Sequence, residues 1–219
     1  MDHLMHLQKD EEFYYAYKQA DYITLDSQII RFILKLLGTP VKELITGSDF
    51  FPLFCNYHKD SPDIRIFLLG AKPGVAEQAK TNINQRCGRK IIVGTFSPSF
   101  GFENNPTENK EILRSINQTN ANVLAVGLGA PKQEKWIYRY RNRLKNIKIF
   151  LAIGATIDFE AGNVRRAPKW INSIGLEWFF RFLNEPRRLW KRYFIEDISF
   201  FWLVLKQKLN IYKDPFSNE

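Results

Sequence analysis

"IRIFLLGAKPGVAEQAKTNINQRCGRKIIVGT", residues 64–95, decides the fold. An apolar run ends at Gly70, a polar turn follows, residues 74–86 carry helical periodicity, and a second apolar run follows Lys90. Short apolar runs bounded by glycine suit buried strands, and strand, helix, strand in succession forms a parallel pair with the helix across one face. The device recurs. "YITL" (22–25), "NVLAVGLG" (122–129) and "IKIFLAIG" (147–154) read as further strands, and 4–19, 27–37, 107–119 and 131–144 as helices. The helix at "PTENKEIL" opens with Pro106, Thr107 and early acids, a start signal. The expected architecture is α/β, a parallel sheet with helices on both faces.

The 219 residues, 45% hydrophobic and 25% charged, suffice for one sizeable core and exclude a disordered chain. A net charge of +9 favours an anionic partner: a nucleotide, a nucleic acid or an acidic membrane. Cys55 and Cys87 are far apart and lack metal-ligand spacing, which points to reduced thiols without zinc. His3, His6 and His58 gather no partner at ligand spacing and read as surface residues. With no apolar run of about 18 residues and no cleavable leader, the chain is expected neither to span a bilayer nor to be secreted.

The charge is localised. Residues 165–192 hold eight basic side chains against two acids, and Trp170, Trp178, Trp190 and Trp202 lie there or just beyond, among further aromatics. Such interleaving suits an interfacial helix on anionic headgroups; it equally suits a helical hairpin packing its aromatics on the sheet. The expected division is an α/β domain over 1–164 and a basic, aromatic helical appendage over 165–219.

In an open parallel sheet, ligands bind beyond the carboxyl ends of the strands. Three loops there are candidates. "LLGAKPGVAEQ" (68–78) puts Gly70 and Gly74 around Lys72. "GLGAPKQEKW" (127–136) follows with Gly127, Gly129, Pro131 placed to start a helix, and Lys132, Gln133 and Glu134 on its first turn. "AIGATIDFEAGNVRRAPKW" (152–170) brings Thr156, Asp158, Arg165 and Arg166. Together they can surround a nucleotide diphosphate. None carries a dinucleotide or P-loop spacing, and each glycine alone also reads as a turn. In "ADYITLDSQII" (20–30), Asp26 and Ser27 fit a helix cap; the alternative is a carboxylate that accepts a proton from a sugar hydroxyl.

"VGLGAPKQEKWI" (126–137) and "GATIDFEAGNVRRAPKWINSIGLEWFFRFLNEPRRLWKRY" (154–193), preceded by "TGSDFFPLF", "IFLLGAKPGVAEQA" and "IIVGTFSPSFGF", closely resemble the WecG/TagA/CpsF glycosyltransferases, glycosyltransferase family 26. The similarity extends over nearly the whole chain. It implies a Rossmann-like, inverting, metal-independent hexosyltransferase without a cofactor, and the sequence has no Asp-x-Asp motif. The implied reaction moves a sugar, foremost N-acetylmannosamine, from a UDP-sugar donor to a polyprenyl-diphosphate-linked acceptor in surface polysaccharide or teichoic acid synthesis. The family's general base falls on Asp26, followed here by Ser27 rather than glycine. The "GLGAPKQEKW" turn corresponds to part of the nucleotide-sugar pocket. The tail resembles an appendage that docks on the membrane and brings arginines to the diphosphate, with Arg181, Arg187, Arg188 and Arg192 as candidates. The implied location is cytoplasmic, peripheral at the inner face of the cell membrane. Two departures stand out: Leu44 occupies a position often basic in the family, with Lys42 nearby, and "MDHLMHLQKD" resembles the helix that follows the family's usual first strand, so the α/β domain is expected to lack that strand.

Other readings are a catalytically inactive nucleotide-sugar binding module and a nucleic-acid-binding protein. The latter rests on charge and aromatics without a recognition motif, so no nucleic-acid partner is expected. An uncovered sheet edge or tail can promote a homo-oligomer.

Overall fold

The computed structural model describes residues 2–163 and 197–216. The chain forms two compact units, one of Gly47–Arg165 and one of Met1–Thr46 with Arg166–Glu219.

The first of these holds a four-stranded parallel sheet: β1 (Ile66–Gly70), β2 (Ile92–Phe96), β3 (Val123–Gly127) and β4 (Ile149–Ala152), in the order β2-β1-β3-β4. Alternate residues sort the strands onto two faces. Ile66, Leu68, Ile92, Val123 and Ala125 pack against α4 (Gly47–Tyr57), α5 (Val75–Cys87) and α8 (Thr156–Glu160); Phe67, Leu69, Leu124 and Val126 pack against α6 (Pro106–Asn117) and α7 (Lys132–Tyr140). The parallel sheet with helices on both faces is as expected. Because the chain runs outward from β1 to β2 and then returns to place β3 on the other side of β1, strand order reverses between β1 and β3. That reversal opens a crevice at the strands' carboxyl ends.

Caps set the helix limits. Gly74 precedes α5 at φ 82° and Gly88 follows it at φ 68°, both in the left-handed region. The Asn105 side chain accepts from the Thr107 and Glu108 amides at the start of α6. Between α6 and α7 lies a satisfied polar group: buried Asn109 accepts from Trp136 Nε1 at 2.8 Å and donates to the carbonyls of Phe102 at 2.7 Å and Asn105 at 2.9 Å. At the opposite end of the sheet, the Arg89 guanidinium donates to the carbonyls of His58, Lys59, Ser61 and Ile64 and closes the loop before β1.

In the other unit, α1 (Asp2–Leu7), α2 (Glu11–Lys18), α3 (Gln28–Leu36) and, next among the described helices, α9 (Asp197–Lys208) carry the fold. Gln8 donates to the Tyr212 hydroxyl at 2.8 Å and Tyr14 donates to Asp214 at 2.5 Å, tying the C-terminal segment to α1 and α2. His3, His6 and Tyr17 ring the buried Phe13 edge-on or tilted.

Two expectations are corrected. Residues 22–25 form no strand; they are irregular and mostly exposed, with the Leu25 carbonyl accepting from Ile45 N at 2.8 Å. A β-rich run without a neighbouring strand remains a solvated segment. The helix expected over 4–19 breaks at Gln8–Asp10, because Asp10 caps α2 by accepting from Phe13 N at 3.0 Å. The "GSDFFPLF" stretch, given no secondary structure above, begins helix α4 despite the internal Pro52. Proline removes one helical donor, and burial of Phe51 and Cys55 in the core holds the helix.

Asn109→Ala strands the buried Trp136 N–H, while the Phe102 and Asn105 carbonyls keep the Asn105 and Asn109 amides as donors. A loss of about 1 to 3 kcal/mol is expected, read as a lower urea midpoint with unchanged slope.

Candidate functional site

The carboxyl ends of β1, β3 and β4 meet backbone to backbone. Gly70 and Gly127 are register partners. A Cβ on Gly70 would stand 2.4 Å from the Gly127 oxygen, and one on Gly127 would stand 2.7 Å from the Gly154 oxygen and the same distance from Ile157 Cδ1. These two glycines are therefore needed for strand-end packing. Gly74 and Gly129 differ: both have positive φ, 82° and 76°, with open space where a side chain would stand. They leave bare backbone at the mouth of the sheet, the condition for close approach of a ligand.

The polar side chains divide in the same way. Gln133, 4% exposed, accepts from the Gly154 amide at 3.1 Å through Oε1 and donates through Nε2 to Glu134 Oε1 at 2.7 Å. Its amide is spent joining the β3 and β4 loops and orienting Glu134, where the sequence suggested a ligand contact. Thr156 is buried and donates to the Ile153 carbonyl at 2.5 Å, within its own turn. Ser97 donates to the carbonyls of Gly70 and Lys72, each at 3.2 Å, and shapes the β1 loop. The next residue after Gly70, Ala71, has φ 60°, a left-handed conformation unusual for a side chain.

Lys72 and Asp158 lie close enough for the charge of the lysine to act on the carboxyl. Lys72 is exposed. Asp158 is half-buried; burial lifts its carboxyl above the ordinary aspartate value, opposed by its own backbone amide and by the charge of Lys72. The pair offers a cation for a phosphate and a carboxylate for a hydroxyl at one sheet edge.

Pro131 caps α7, after a cis Ala130–Pro131 peptide bond. Lys132 turns away from the glycines to pair with Glu103 at 2.5 Å, its ammonium 5.3 Å from the Phe100 ring centre. The pairing holds the Glu103 carboxyl below its usual value. Lys132, Lys135 and Arg139, with Glu103, Asn104, Pro131 and Trp136, line a cleft of about 220 Å³. Lys135 and Arg139 were not singled out from sequence, although their i, i+3, i+7 spacing with Lys132 places all three on one helix face.

Asp26 belongs to the unit of Met1–Thr46 and Arg166–Glu219. Ser27, not Asp26, caps α3, accepting from Ile30 N at 3.3 Å. The exposed Asp26 carboxylate thus stands outside the cap. Leu44 is half-buried, and the Lys42 carbonyl accepts from Arg31 Nη2 at 3.0 Å. The candidate arginines Arg165, Arg166, Arg181, Arg187, Arg188 and Arg192 lie outside the described residues. Among the described residues, no His, Cys, Asp and Glu side chains cluster to hold a metal, and no helix is long and apolar enough to cross a membrane.

An open parallel sheet whose order reverses beneath bare glycine loops defines an α/β protein of the Rossmann-like class, built to bind ligands at its carboxyl edge. Residues 1–214 match the model of the glycosyl transferase WecG/TagA/CpsF family, and the chain belongs to that family. It is 29% identical over 202 residues to the N-acetylglucosaminyldiphosphoundecaprenol N-acetyl-beta-D-mannosaminyltransferase of Bacillus subtilis (strain 168), a match covering 92% of this chain and 75% of that one. A protein of the same name from Bacillus spizizenii (strain W23) is 28% identical over 173 residues, covering 79% of this chain and 64% of the relative. The second match thus spans just under two thirds of its relative's length.

Two substitutions separate packing from chemistry. Gln133→Leu leaves the Gly154 amide without its acceptor and is expected to cost about 1 to 3 kcal/mol, seen in urea unfolding. Asp158→Asn acts in the opposite sense. Because its folded pKa is raised, wild-type Asp158 is least costly to stability below the ordinary value of 3.8 and becomes a burden as pH rises through the folded value. The asparagine variant should therefore melt above wild type near neutral pH, an advantage that vanishes below that ordinary value.

Proposed function

We propose that the protein is an inverting transferase that moves N-acetylmannosamine from a UDP donor to N-acetylglucosamine on a polyprenyl diphosphate, at the inner membrane face, for wall polysaccharide or teichoic acid. The observation that carries this reading is the family match over residues 1–214, joined by two relatives named for that transfer. The geometry supports it with an anion-suited loop mouth.

Asp26 takes the proton from the acceptor hydroxyl as that oxygen attacks the anomeric carbon. The new bond forms opposite the departing UDP, the anomeric carbon–phosphate oxygen bond breaks, and configuration inverts. Charge accumulates on the leaving diphosphate. Lys72 and the main-chain amides around Gly74 and Gly129 are assigned to that charge, with Arg165, Arg166, Arg181, Arg187, Arg188 and Arg192 as further cationic candidates. Asp158 is assigned to a donor hydroxyl. Gln133 and Thr156 hold the loops rather than the ligand, and Glu134 takes its orientation from Gln133. Neither a metal nor a cofactor enters this scheme.

The experiment is transfer from UDP-N-acetylmannosamine to a short-chain polyprenyl diphosphate N-acetylglucosamine, with and without chelator. Asp26→Asn is expected to lower kcat by about 10² to 10⁴ while UDP affinity changes less than about twofold. Near-normal turnover in that variant removes Asp26 as base. UDP binding without transfer by the wild type favours the inactive nucleotide-sugar binding module.

A further inference from the structure

Helix α3 turns an apolar face to solvent. Phe32 is 62% and Leu36 63% exposed, one turn apart, while Ile33 between them is buried. Arg31 and Lys35 each precede one of these apolar residues, so a cationic stripe runs beside the apolar one, and the helix carries no acid. The segments around α3 add to the surface: Tyr22 is 93% and Ile23 57% exposed, and Val41 and Ile45 are also exposed. The Arg31 bond to the Lys42 carbonyl and the Ile45 bond to the Leu25 carbonyl gather these segments about the helix. The nearby acids Asp21, Asp26 and Glu43 all lie off α3, in the flanking segments.

Single exposed apolar residues are ordinary, but a gathered set marks a contact surface. The chemistry here selects the contact. An interfacial helix seats Phe and Leu at the acyl boundary while adjacent Lys and Arg meet anionic headgroups, and an amphipathic tyrosine favours the same depth. We infer that the α3 face, Phe32 and Leu36 flanked by Arg31 and Lys35, docks on an anionic lipid surface. The inference deepens the membrane reading proposed above and rests on it for its purpose. Asp26 stands two residues ahead of α3, so a seated helix holds that carboxylate at headgroup level, where the diphosphate of a lipid-linked acceptor lies.

The test is co-sedimentation of the full chain with phosphatidylcholine vesicles, with and without phosphatidylglycerol, at physiological salt. Wild type is expected to partition onto the anionic vesicles. The double variant Phe32→Ser, Leu36→Ser should weaken that partitioning by about tenfold or more. Arg31→Gln with Lys35→Gln should erase most of the preference for anionic over neutral vesicles. Both variants should keep the wild-type circular dichroism, and the serine pair should transfer sugar to a soluble short-chain acceptor within about twofold of wild type. Unchanged partitioning of the folded serine pair overturns the inference. So does a fall in oligomer mass without loss of vesicle binding, which would assign the face to a second copy. If the wild type transfers no sugar yet vesicle binding depends on Phe32 and Leu36, the catalytic reading fails and the docking surface stands.

Discussion

The Gly70–Gly127 contact at the end of the β1–β3 pair is the constraint on which the sheet edge depends. No Cβ fits at either position, since the space is filled by the Gly127 oxygen in one case and by Gly154 and Ile157 in the other. This contact lies where strand order reverses, so the crevice of the open sheet forms at the point of closest backbone approach. From it the three loops leave with defined directions, the first through the left-handed Ala71 and the others toward α7 and α8.

What sits on that edge separates into groups that hold the loops and groups that face outward. Gln133 and Thr156 are buried and their hydrogen bonds run to neighbouring backbone or to Glu134. Lys132 is paired with Glu103. Lys72 is exposed, open space lies beside Gly74 and Gly129, and half-buried Asp158 has a carboxyl that burial makes less acidic. A preorganised edge of this kind can meet a ligand without first breaking its own bonds, which is what the proposed stabilisation of a leaving diphosphate requires. On the other unit, the Ser27 cap leaves Asp26 outside the hydrogen bonding of α3.

The parallel sheet was legible in the sequence because all four strands are short apolar runs ending in glycine or a polar turn. Of the helices flanking the sheet, α5, α6 and α7 were equally clear from their periodicity, and α6 also from Pro106, Thr107 and the early acids at its start. Helix α4 was not legible: Pro52 argues locally against a helix, and only burial of Phe51 and Cys55 overrides it. "YITL" has strand composition but no strand beside it, a fact of topology that no local pattern contains. The site was half legible. Its loops followed from glycine after strands, yet an amide on the first turn of a helix looks the same whether it meets a ligand or, like Gln133, the amide of Gly154. Arg89 likewise reads as one more surface cation, although it gathers four carbonyls of a single loop.

Hydrogen exchange of the chain with and without saturating UDP is the most direct test of the claim that the glycine-lined carboxyl edge receives the donor. Protection should rise at amides of residues 71–76, 127–134 and 153–158, with little change in the loop closed by Arg89 at the opposite end of the sheet. Protection that leaves these three loops untouched, or that appears only in the Arg89 loop, would contradict it.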